Sequence, residues 1–207
     1  MTKACTKKKR SLLSKGIDLI KKRISSKKIT PEPSLFSLSK TRITIYESEL
    51  QFIGAESAVW ETETGGDLFG IWNKQPIIYL ATRTGPNSIR EVAHFKLDVE
   101  YLIKLSGKLN NEWGLCYFGD WHSHHRLGLD APSGGDKKRI KQVASKNKFD
   151  KMAEIIATLP TDYQKTKNVH IHPYLYEDPI KIDCIKISLD IIEGISPIRS
   201  ALIASSS

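Results

Sequence analysis

The chain has 207 residues, 40% hydrophobic and 27% charged, with a formal net charge of +9. That length fits one domain with some chain to spare and enough apolar residues for a real core. No run approaches the roughly 20 apolar residues of a membrane span, and no apolar segment with a cleavage site follows the charged start, so a secretory signal is not expected.

The charge is local. Residues 1–30 hold eleven Lys or Arg against the single acid Asp18, and the remainder is close to neutral. Nucleic-acid binding by the whole protein is therefore disfavoured. Within the basic stretch, Leu13, Ile17, Ile20 and Ile24 recur at i, i+4, i+7 and i+11, a helical stripe weakened by Gly16. Three readings stay open: a loosely docked tail, a helix for an acidic protein partner, or a membrane or nucleic-acid contact. Pro31 and Pro33 end the stretch in an extended linker. The expected organisation is a basic tail over 1–39, a domain over 40–195 and a C-terminal tail over 196–207.

The domain opens on Arg42–Tyr46, alternating and β-branched, which predicts a strand. Good helix formers with apolar Leu50 and Ile53 predict a helix over 47–59. A polar, glycine-rich turn over 61–70 leads into a strand at Leu68–Lys74, and Pro76–Gly85 is its hairpin partner. Residues 83–91 read as a turn-rich loop. A strand end at Phe95 precedes an amphipathic helix from Asp98 to about Leu109. Leu115–Phe118 begin a buried strand that runs into Trp121 and ends in a loop, and a helix follows near Asp136. Met152–Leu159 is a strand, 161–168 a polar loop, and Val169–Asp178 and Ile180–Leu189 two further strands. Mixed strands and helices without a βαβ rhythm predict an α+β domain around one mixed sheet. Cys5, Cys116 and Cys184 show no CxxC and no disulfide framework; Cys116 and Cys184, in apolar strand-like runs, read as buried reduced thiols, which fits the cytoplasm.

The chemistry gathers in Phe118–Asp136, FGDWHSHHRLGLDAPSGGD. Residues i and i+2 of a strand share a face, so His122 and His124 can converge on one point. A carboxylate in the first turn of the next helix, Asp136, can supply a third ligand. Two imidazoles and a carboxylate make a catalytic zinc set, because three protein ligands leave a position open. Asp136 could instead cap its helix, and Ser133 could be ordinary turn chemistry. A carboxylate base is still required; upstream, Glu61 and Glu63 are candidates, and Glu63 precedes glycines that permit close backbone approach.

Glu63 with TGGDLFG, then GDWHSH, then PSGGD resembles the signature of the JAMM (JAB, MPN) zinc metallopeptidases. The resemblance implies an α+β domain of MPN type, a mixed sheet flanked by helices, over about residues 40–190. It further implies zinc on His122, His124 and Asp136, with Glu63 as general base and then acid, and Ser133 as hydroxyl donor to the oxyanion. Eight residues separate His124 from Ser133, and His125 stands where many members have proline. Both features resemble the prokaryotic JAB branch, closest to the deconjugating peptidases of bacterial operons for ubiquitin-like conjugation in antiphage defence (Bil and CBASS-linked systems).

The expected partners are thus the C-terminal tail of a ubiquitin-like protein and its conjugates, with activating and conjugating enzymes of the same operon. Two other expectations are processing of a sulfur-carrier protein of ubiquitin fold, and a non-catalytic MPN scaffold. Asp130 and Glu61 are substitute carboxylates. His125 should face away from the metal, Trp121 should be core, and His170 and His172 should be packed or solvated strand histidines. The loops 83–91 and 161–168 are candidates for gripping a partner's tail.

Overall fold

Ile43 and Ile45 flank Thr44 in a run whose branched side chains suit a pleated surface better than a helix. They form strand β1 (Ile43–Tyr46), both isoleucines fully buried. The structure is a computed structural model that describes residues 42–91, 94–125, 129–159 and 168–205. The basic stretch with its helical stripe, the proline linker, Cys5 and residues 161–167 of the polar loop lie outside the described residues.

After β1 come α1 (Glu47–Val59), β2 (Gly65–Ile71), β3 (Ile77–Ala81), β4 (Ile89–Glu91), β5 (His94–Lys96), α2 (Val99–Trp113) and β6 (Cys116–His125). Then follow α3 (Gly134–Asn147), β7 (Met152–Leu159), β8 (His170–Asp178), β9 (Asp183–Lys186), β10 (Leu189–Ile192) and α4 (Pro197–Ala204). The expected α+β class holds: these helices flank a mixed eight-stranded sheet of order β10-β1-β3-β2-β6-β7-β8-β9, with β4 and β5 as a separate pair. β6 lies inside the sheet, antiparallel to β2 and parallel to β7.

Alternation on β6 and β7 sends consecutive residues to opposite faces. Trp121, Ala153, Ile155 and Ala157 join Ile53 of α1 in one apolar cluster. On the other side, Met152 packs with Ile140 and Ala144 of α3 and with Tyr176 of β8. Asp120, His122 and His124 therefore share the face that α3 covers. Gly119 makes the strand pairing possible: its φ is +147°, and a Cβ there would collide with the Ala153 carbonyl oxygen of β7. A register irregularity between Leu68 and Phe69 of β2 falls at the same level, opposite Gly119 and Tyr117.

Several expectations are corrected. Gly65 and Gly66 belong to β2 rather than to the turn before it, and a Cβ on Gly66 would meet the Thr82 carbonyl, so the strand accepts glycine for close backbone approach. The expected loop 83–91 ends in β4. The expected last strand is two. β9 stops at Lys186, and β10 crosses to the far edge to lie parallel to β1. An unbroken alternation carries no sign of where a chain changes partner.

The segment from 196 expected as a tail is a capped helix. The Ser196 side chain accepts from Ile198 N, Pro197 sits in the first turn, and Ile198 is buried against Tyr79. Arg199 reaches back to the fully buried Glu49 of α1. Of the thiols read as reduced, Cys184 is free. No described helix is long and apolar enough to cross a membrane.

Candidate metal centre

The site is assembled from strand alternation and a helix cap. His122 and His124 stand two apart on β6, buried and aimed together, with their Nε2 atoms 3.0 Å apart. Asp136, in the first turn of α3, brings its carboxylate to both: Oδ1 is 3.5 Å from His122 Nε2, and Oδ2 is 3.5 Å from His124 Nε2. The three donors lie within 4.8 Å of one another. The helix cap aims the carboxylate. Ser133 Oγ accepts from Asp136 N at 3.2 Å, and Asp136 Oδ2 accepts from Ser133 N at 2.8 Å, a reciprocal capping box.

Capping and cation binding were competing readings for Asp136, and the structure accommodates both. A carboxylate offers about four lone-pair directions, and the cap uses one. Ser133 is likewise placed: its oxygen accepts from the helix, beside the Asp136 carboxylate.

The donor set fits a cation. His124 Nδ1 lies 2.8 Å from the Leu129 carbonyl, which can only accept, so Nδ1 carries the proton and Nε2 presents its lone pair. Behind His122, Glu154 Oε1 stands 3.8 Å from Nδ1, favouring a proton on that nitrogen too. Two lone pairs and an anionic carboxylate thus converge. Burial pushes the His124 pKa down, but Asp136, the Leu129 carbonyl and the charge of Glu63 outweigh it, and the net shift is up. Burial also acts to raise Asp136, yet when the imidazoles carry a second proton their hydrogen bonds and the charge of His122 hold its carboxyl well below the usual carboxylate range. The pocket is electrostatically prepared for positive charge. Two imidazoles and one carboxylate are a donor set that could hold a metal ion.

Glu63 lies at the entry to β2, buried, with its charge felt by His124. Its neighbour Thr64 is clamped to the residue between the histidines: Ser123 N donates to the Thr64 carbonyl at 2.8 Å, and Thr64 N donates to Ser123 Oγ at 3.0 Å. The substitutes are not brought in. Glu61 is exposed. Asp130 is exposed and 3.6 Å from Lys186 Nζ. His125 is buried on the opposite face of β6 from His122 and His124, as alternation requires. Trp121 is core, donating from Nε1 to the Thr82 carbonyl at 2.8 Å. His172 bonds the Thr158 hydroxyl at 2.9 Å, and His170 is exposed.

A second cluster with cation-binding atoms, Asp120, His122 and Glu154, was not foreseen. It already holds a cation of its own. Arg139, one helical turn beyond Asp136, forks onto Asp120 at 2.6 and 2.8 Å and stands 3.7 Å from Glu154. Tyr176 donates to Glu154 Oε2 at 2.7 Å. One signal in the sequence could have flagged Glu154: a lone acid inside the apolar run MAEIIATL is rarely buried without a partner.

No family model and no curated protein matches the chain. Among solved structures it is similar to the solution structure of protein DSY2949 from Desulfitobacterium hafniense. The two share 16% identity with a TM-score of 0.55, over 74% of this chain and 94% of that one. At that identity the likeness is one of fold.

Proposed function

We propose that this chain is a zinc-dependent peptidase of the JAMM (MPN) type, with His122, His124 and Asp136 as zinc ligands. It removes or processes a ubiquitin-like protein at its C-terminal tail. The observation that carries the reading is the placement of the Asp136 carboxylate 3.5 Å from the Nε2 atoms of both histidines, with Glu63 and Ser133 alongside. These are the five residues that the motif resemblance assigns. A bound zinc ion would supply Lewis acidity at neutral pH, polarising a carbonyl and making water a competent nucleophile.

The rest of the work falls to the chain. Glu63, a buried carboxylate beside His124, takes the proton from the attacking water and returns it to the leaving amine. The Ser133 hydroxyl donates to the oxygen on which negative charge develops; one such donor is typically worth about 2.7–4 kcal/mol of barrier. The Leu129 carbonyl fixes the His124 ring, and Glu154 stands behind His122, so that neither imidazole has to turn to bind metal. The substrate class rests on the GDWHSHH…PSGGD pattern, which resembles the deconjugating peptidases of bacterial ubiquitin-like antiphage systems.

The test is cleavage of a ubiquitin-like protein bearing a short C-terminal extension, with bound zinc measured in the same samples. Wild type is expected to bind one zinc and cleave. His122→Ala is expected to lose both properties. A protein purified with zinc in the medium that neither holds zinc nor cleaves would favour a non-catalytic scaffold.

A further inference from the structure

The connection from β6 to α3 joins the two histidines to Asp136, and it is held by a residue the proposed chemistry does not use. Two successive carbonyls of that connection are gripped from the sheet. Leu129 O accepts from His124 Nδ1 at 2.8 Å, and Asp130 O accepts from the Tyr174 hydroxyl at 2.8 Å. Tyr174 is on β8, 7% exposed, and pairs in register with Glu154 of β7 and Lys186 of β9. Directly paired residues share a sheet face, so Tyr174 stands on the His122 face, two strands away, and its hydroxyl spans that distance.

What lies beyond the grip is short and stiff. Asp130 is followed by Ala131, by Pro132 with its restricted φ, and by the Ser133–Asp136 capping box. Little freedom separates the Asp130 carbonyl from the Asp136 carboxylate. Holding the first therefore fixes where the second begins. It also fixes the adjacent Leu129 carbonyl, and with it the proton on His124 Nδ1. The pair between Asp130 and Lys186 cannot do the same work: it is 3.6 Å long, and both side chains are more than half exposed.

We propose that Tyr174 is a positioning residue for the metal site, its hydroxyl holding the β6–α3 connection so that Asp136 and His124 meet the same ion. This rests on the metal reading of His122, His124 and Asp136. The prior ordering of that connection would then be part of the protein's affinity for metal.

The experiment titrates zinc, and cobalt for its visible absorption, into metal-free full-length protein: wild type, Tyr174→Phe, Lys186→Met and Asp136→Ala. Tyr174→Phe is expected to weaken zinc about 10- to 100-fold, the usual cost of losing an outer partner of a ligand. It is also expected to alter the cobalt spectrum and to speed hydrogen exchange at residues 129–136 selectively. Lys186→Met is expected to stay within about threefold of wild type. If Tyr174→Phe destabilises the metal-free fold, Pro132→Gly loosens the same connection without touching β8 and is expected to weaken zinc in the same direction.

If Tyr174→Phe and Pro132→Gly bind zinc as wild type does while Asp136→Ala does not, the positioning role is overturned and the metal site stands. If Asp136→Ala binds zinc as tightly as wild type, the metal reading itself falls and the positioning role with it.

Discussion

Asp136 shows how one side chain serves local structure and chemistry together. Its Oδ2 completes the cap of α3 while both oxygens face histidine nitrogens. Asp136→Asn is expected to keep the helix start, since an amide oxygen can still accept from Ser133 N, but to weaken zinc by about 100-fold or more by removing the anionic donor; titration calorimetry beside a thermal melt separates the two. The His-x-His pair and Asp136 were legible because strand alternation and helix capping are local rules. The pairing of the buried acids beneath them was not, because Arg139 reaches Asp120 and Glu154 only once three elements pack.

These acids give the metal-free protein a pH signature. Asp67 of β2, buried and paired with Asp120 of β6, belongs with them: burial, with the charge of Asp120, pushes its carboxyl up to about 7, and burial likewise takes Glu154 to about 7. Each binds its proton more tightly folded than unfolded. The contribution is full below the ordinary carboxylate range and is lost as pH rises through 7. His124, shifted upward, has the same sign. Asp136, shifted downward, loses its contribution only in acid, outside this window. The unfolding free energy of metal-free protein, from urea titrations, is thus expected to fall between about pH 5 and 8 by an amount on the order of a few kcal/mol. Asp67→Asn is expected to flatten the curve; a wild-type curve rising over that range would refute the assignment.

Among the elements, β1, α2 and β7 were readable because local rules agree, and α1 from its helix formers alone, since Tyr46 before it makes no side-chain cap; α2 is capped by Asp98, whose side chain accepts from Tyr101 N. The break between β9 and β10, and the docking of α4, were not readable. Each is decided by a partner far along the chain: Arg199 bonds Glu49 across 150 residues. Glu49 is fully buried, so Arg199→Ala leaves a charge without its counterion and is expected to destabilise by about 3–5 kcal/mol in denaturant unfolding. Gly119→Ala tests the sheet more severely. Its Cβ cannot coexist with the Ala153 carbonyl, so β6 and β7 must separate where the histidines begin. Loss of soluble, cooperatively unfolding protein is the expected result, read from expression and a melt.

At the scale of the whole molecule, the α+β class followed from the mixture of elements, whereas the strand order did not, because register between distant strands leaves no mark in either strand alone. The basic charge lies outside the described sheet and its helices. Deleting residues 1–30 is accordingly expected to leave the fold, zinc content and cleavage rate close to wild type, with any salt-sensitive nucleic-acid binding lost. The central claim is that Glu63 acts as the base beside a zinc held by His122, His124 and Asp136. The direct measurement is the rate at which Glu63→Gln, at the zinc content of wild type, releases a ubiquitin-like protein from its C-terminal extension. A rate lower by about 100-fold or more with zinc retained is the expected result; cleavage at the wild-type rate by zinc-loaded Glu63→Gln would contradict it.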